Sequence, residues 1–75
     1  ANVQTKTKGH NDGTIVLPAT LKDSKGQDVK VTATIRDVEG NVATNNELAP
    51  NVYIANFSAE GYKDVSAGVA VTDKP

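Results

Sequence analysis

Apolar and polar residues alternate with a period of two along most of this chain. The cleanest run is Val29, Val31, Ala33 and Ile35 against Lys30, Thr32, Thr34 and Arg36, which predicts a strand over 28–36 with one buried face. Residues 14–22 place Ile15, Leu17, Ala19 and Leu21 on one face, opposite Thr14, Val16, Pro18, Thr20 and Lys22. Pro18 cannot donate to a ladder, so this second strand is expected to lie at an edge or to bend there and change sheets. Residues 51–59 set Val52, Ile54 and Asn56 against Tyr53, Ala55, Phe57 and Ala59. Apolar residues on both faces predict a central strand. Residues 64–72 read as the last strand, with Val65, Ala67, Val69 and Val71 on one face. Residues 1–8 alternate weakly and predict an edge strand whose lysines, Lys6 and Lys8, discourage edge-to-edge pairing.

Turn chemistry separates these runs. Asn11-Asp12-Gly13 supplies residues that tolerate left-handed backbone. Asp23-Ser24-Lys25-Gly26-Gln27 predicts a hairpin with Gly26 at positive φ. The same form, an apolar residue, a basic one, Asp, any residue, a charged one, Gly and an amide, recurs fourteen positions on, at Ile35 to Asn41. Two like turns around one strand predict a meander, with a further strand starting over 41–44. Residues 45–50 break the alternation and read as a crossover loop between sheets, and Glu60-Gly61 turns into the last strand. The prediction is an all-β fold: an immunoglobulin-like antiparallel β-sandwich of six to seven short strands, with a small open barrel as the competing architecture.

Composition narrows the picture. Seventy-five residues make one domain, 1–75, with a thin core, since a chain this short buries only about 60% of its unfolded surface. The absence of cysteine rules out disulfides and thiolate zinc sites. With 8 basic and 9 acidic residues, the net charge of -1 argues against nucleic acid as a partner. No apolar run approaches the ~18 residues of a membrane span. The chain opens at Ala1, contains no methionine and closes at Pro75, which is expected of a domain cut from a longer protein.

Candidate chemistry is sparse, and the expectation is a non-enzyme that needs no cofactor. His10 is the only histidine and is expected in an exposed turn beside Lys8. Ser24, Ser58 and Ser66 lie in turn or strand contexts without a nucleophile elbow. Asp37, Glu39 and Asn41 have the alternate spacing of calcium loops, but the bidentate glutamate of such a loop is missing and Lys25 occupies the Glu39 position in the sister turn. The hairpin explains the same residues, with Asp37 bonding turn amides. No acid sits in an apolar run that would raise its pKa for acid–base work. Asn56-Phe57-Ser58 matches the glycosylation sequon inside a predicted strand, where coincidence explains it. Of the three aromatics, Tyr53 suits a tyrosine corner with its hydroxyl tied to nearby backbone. Tyr62 is the one weak candidate for a ligand platform, against a simpler role packing over the sandwich end.

Val31 to Asn41, alternating Val and Thr and then Asp, two residues, Gly-Asn, resembles the strand-turn signature of bacterial and phage Ig-like modules. Asn56 to Lys63, followed by the valine-rich residues 65–71, is similar to their final hairpin; together the two stretches cover about half the chain. The cysteine pair and core tryptophan of antibody-type domains are absent. The resemblance implies a display or spacer module of the kind found in tailed-phage capsid decoration and tail proteins and in bacterial surface proteins. The leading expectation is the outer domain of a capsid decoration protein on the virion surface, bound to the rest of its parent chain and adhering weakly to host surfaces or glycans. The alternatives are a stalk or adhesion module of a bacterial surface protein and an accessory domain of a secreted glycan-degrading enzyme.

Overall fold

The computed structural model describes residues 2–75; residue 1 of the expected 1–8 strand lies outside them. Among the described residues there are six strands and no helix: β1 (Val3–Gln4), β2 (Thr20–Lys22), β3 (Asp28–Lys30), β4 (Thr32–Asp37), β5 (Asn51–Ser58) and β6 (Val65–Thr72). They form a four-stranded sheet in the order β1-β6-β5-β4 and a two-stranded sheet of β2 and β3. All pairings are antiparallel except β1 with β6, which is parallel. The result is a β-sandwich whose second layer is completed by irregular chain.

The two like turns fold alike. Asp23 Oδ1 accepts the amides of Lys25 (2.8 Å) and Gln27 (2.9 Å), and Asp37 Oδ1 accepts those of Glu39 and Asn41 (both 2.9 Å). In each turn the glycine amide donates back to the aspartate carbonyl, and the aspartate amide donates to the carbonyl of the fifth residue. Gly26 and Gly40 take φ of 78° and 89°. Five local residues therefore close each turn without help from the core.

The strands between the turns depart from the pattern in three places. The expected 28–36 strand is divided at Val31: residues 28–30 pair with β2, the Val31 amide donates to Ala19 O (3.1 Å), and residues 32–37 pair with β5. The change of sheets thus falls at Val31 and not at Pro18. Only Thr20–Lys22 of the expected 14–22 strand forms a ladder. The preceding segment finds other partners. Ile15 exchanges hydrogen bonds with the Asn45 side chain, whose Oδ1 accepts from Ile15 N and whose Nδ2 donates to Ile15 O, both at 2.9 Å. An amide side chain here replaces a neighbouring strand. After the second turn, the expected 41–44 strand is reduced to a bridge between Arg36 and Val42.

The N-terminal edge strand is also shorter than expected. Beyond Thr5, whose amide still donates to Thr72 O at 2.9 Å, the chain leaves the sheet as a loop held by two carboxylates. Asp12 accepts the amides of Lys6 and Thr7, and Asp73 accepts the Gly9 amide and the Thr5 hydroxyl. Left-handed backbone in this loop falls at Gly9 (φ 76°), not at Asn11-Asp12-Gly13. Gly13 serves close approach instead, bridging Leu48 by two backbone hydrogen bonds of 3.0 and 3.2 Å.

The core gathers Ile15, Ile35, Leu48, Tyr53, Val69 and Val71, with Val3, Leu17 and Ala43 packed against it. Leu48, in the segment expected to be only a crossover loop, is 1% exposed, the lowest value among the buried apolar residues. β5 is central, as its two apolar faces predict, with β4 and β6 on either side.

Candidate functional site

The domain has two poles. Register places the Asp37–Asn41 turn, Asn51, Val71 and β1 at one pole, which also carries the core. The Asp23–Gln27 turn and the Ala59–Tyr62 turn lie at the other, where the layers meet less completely. A small apolar cleft opens there between Leu21, Val29 and Val31 on one side and Phe57, Tyr62 and Val65 on the other. Tyr62 follows Gly61 (φ 82°), and its amide closes the turn on Ala59 O at 3.1 Å. Its ring lines the cleft and remains 55% exposed. The cleft holds about 110 Å³, against the ~300–1,000 Å³ of sites that enclose a small molecule. Tyr62 can offer one ring face at a shallow rim, and no second aromatic ring stands exposed beside it.

Tyr53 occupies the corner its position predicts. It is buried, and its hydroxyl donates to Ala49 O at 2.8 Å, which fixes the chain as it enters β5. Asn56, the sequon residue, lies within β5. Its Nδ2 donates to Asp64 Oδ2 (3.2 Å) and its Oδ1 accepts from the Ser66 hydroxyl (2.9 Å), so the amide nitrogen is engaged in the sheet. His10, Lys6, Lys8 and Ser24 are exposed in loops, and Ser58 ends β5. These residues do not converge.

The carboxylates are placed for structure. Asp37 is held below the usual carboxylate range, first by the Asn41 amide; partial desolvation opposes this, and the Asn41 side chain and the Glu39 and Gly40 amides add to it. At Asp12 partial desolvation pushes the pKa up, but the amides of Thr7 and Lys6 and the charge of His10 outweigh it and leave the group lowered. A general acid at neutral pH needs the opposite displacement. Among the described residues no group of three or more His, Asp or Glu side chains is arranged to hold a metal ion. Asp37 Oδ1 is committed to two turn amides and Oδ2 accepts from the Asn41 side chain (3.3 Å).

The feature that sequence reasoning missed is on the outward face of the four-stranded sheet. Arg36, Ile54 and Gly68 lie side by side across β4, β5 and β6, with Val42 bridged to Arg36 and Val52 beside Ala70. Val42, Val52 and Ile54 are all exposed there. The signal lies in the two apolar faces of residues 51–59, which predict a central strand but do not tell that one of its faces stays uncovered.

Comparison with known proteins gives the context. A family model described as the phage tail tube protein C-terminal domain matches residues 1–75. Tail tube proteins of Lactococcus phages F4-1, p2 and SK1 are each 69% identical to it over 72 residues, which is 96% of this chain and 24% of theirs. The chain thus spans about a quarter of the length of these relatives. No solved structure matches it significantly. These matches overturn the expectation of a capsid decoration or adhesion module, and with it the bacterial stalk and the glycan-enzyme accessory, because the relatives are tail tube proteins; they lend no support to a host-glycan partner. The phage virion context of the expected module is retained, and the chain belongs to the phage tail tube protein C-terminal domain family.

Proposed function

We propose that this chain is a non-catalytic structural domain of a phage tail tube, joined on its N-terminal side to a tube-forming body and carried on the outside of the tube. The family match along the whole chain, with relatives about four times its length, carries this reading. The geometry supports it. The domain has its own core and its own hydrogen-bonded turns, so it needs no place within the tube wall to fold. Asp12 and Asp37 are lowered and tied to turn or loop amides, and the cleft beside Tyr62 is too small to enclose a substrate. The Ig-like character of the sandwich is part of the same proposal, supported by the Tyr53–Ala49 corner and the short edge strand β1.

The test is assembly of the full-length tube protein with and without residues 1–75, followed by electron microscopy. Tubes that form without the domain, with the same bore and a smaller outer diameter, are the expected result. Loss of tubes, or a changed bore, would place the domain in the wall and refute the outer position.

A further inference from the structure

Gly68 has no reason within the domain to be glycine. It stands in the middle of the eight-residue strand β6, and its φ is not in the left-handed region. A Cβ built on it meets nothing within 4 Å. Glycine inside a strand costs about 0.5–1 kcal/mol relative to alanine. Strand glycines often mark a bulge, a tight bend or a close approach to the backbone; Gly68 lies in unbroken register with Ile54, which leaves close approach from outside.

Its neighbours describe that place. Gly68 pairs with Ile54 and Ala70 with Val52, so small residues on β6 sit beside large apolar ones on β5. Ile54 is 40%, Val52 48% and Val42 66% exposed on this face. Val38 borders a shallow depression shared with Arg36, Ile54 and Asn56. β5 thus carries apolar side chains on both faces, as strands covered on both sides do, yet among the described residues nothing covers its outward face at Val52 and Ile54.

Size selects the occupant. Two strands of eight residues and one of six, ~4.8 Å apart at ~3.4 Å per residue, present roughly 360 Å². Freely diffusing partners need about 800 Å² each for a stable interface. A second, untethered copy is therefore a poor fit. A tethered partner needs far less, because a short linker supplies an effective concentration in the millimolar range. The described chain enters beside this patch: Asn2 Oδ1 accepts the Ala70 amide at 3.4 Å and Val3 pairs with Val71, level with the Val52–Ala70 row.

We propose that the outward face of β4, β5 and β6 docks against the tube-forming body of its own chain, with Val52 and Ile54 as anchors and Gly68 admitting an apolar side chain of the body onto the β6 backbone. This rests on the tail tube reading above. The domain then sits on the tube in one orientation, with the β2–β3 layer facing away from the tube.

The test is thiol labelling of full-length, unassembled tube protein carrying Val52→Cys or, as an exposed control, Ser24→Cys, with modification read at the peptide level. Val52 is 48% exposed on this face of the domain, and a cysteine there keeps a small apolar side chain and leaves the glycine at 68 in place. The expected result is labelling at position 52 at least about tenfold slower than at position 24, restored to the control rate by adding Ile54→Asp. Equal rates at the two positions would overturn the proposal. Protection that arises only after assembly would also overturn it, because a neighbouring copy would then be the occupant. Electron microscopy of the same preparations after assembly tests the tube reading separately, since a chain that forms no tubes fails there whatever its labelling pattern.

Discussion

Replacing Gly13 by alanine is the sharpest test of how the sandwich is closed. A Cβ at this position would lie 2.8 Å from Leu48 O, 2.8 Å from Val71 Cγ1 and 3.3 Å from Leu48 Cβ. Reaching an ordinary contact of ~3.5 Å requires the first two to withdraw by about 0.7 Å each. Neither is free to do so. Leu48 O accepts the Gly13 amide at 3.0 Å, and the Leu48 amide returns a bond to Gly13 O at 3.2 Å. Val71 is a buried, β-branched residue in a strand paired on both sides. Overpacking of this kind costs about 1–3 kcal/mol, and stretching the two-bond bridge adds up to ~1 kcal/mol per bond. The lower entropy of unfolded alanine returns about 0.4–1 kcal/mol. The net expectation is a loss of about 2–3 kcal/mol, a large share of the ~4–11 kcal/mol expected for a domain of this size. At about 4–8 °C per kcal/mol, Tm falls by about 8–24 °C. Thermal unfolding followed by circular dichroism, with reversibility checked, measures this. A Gly13→Ala domain melting within ~2 °C of wild type would refute the reasoning, because the bridge would then be able to yield.

Other outcomes follow from the same packing. Gly68→Ala, where the Cβ meets open space, raises the stability of the separate domain by up to ~1 kcal/mol, read as a higher denaturant midpoint. Leu48→Ala empties the most enclosed part of the core and costs about 2–5 kcal/mol, checked by urea titration. Tyr53→Phe removes the bond to Ala49 O and costs about 0.5–1.5 kcal/mol, measurable by calorimetry. Asp37 and Asp12 have folded pKa values below their unfolded value of 3.8. Their contribution is present above that pH and is lost as pH falls through the lower folded values. Tm therefore drops on acidification below about pH 4, and Asp37→Ala, already less stable at neutral pH, loses less over that interval in the same melting series.

The local elements of this protein were written in its sequence. Asp23 and Asp37 each close a five-residue turn by bonds to amides two and four residues on, so spacing alone specified both. The alternation set which side chains are buried along β5 and in the second half of β6, at Val69 and Val71, whereas Val65 and Ala67 on the same face stay exposed; Tyr53 was legible because its partner, Ala49, is four residues away. What tertiary structure decided depends on residues far apart in the chain. Period-two alternation gives a strand its faces but not its partner, so nothing local marked Val31 as the point where one ladder gives way to another, or set β1 parallel to β6. The burial of Leu48 depends on Gly13, thirty-five positions earlier, and Ile15 takes its hydrogen bonds from the side chain of Asn45, thirty positions later. The outward apolar face was half legible: Val52 and Ile54 could be seen, but only the register that sets them beside Gly68, Ala70 and Arg36 turned two residues into a surface, because neighbours across a sheet are fixed by hydrogen bonding between strands and not by order along the chain.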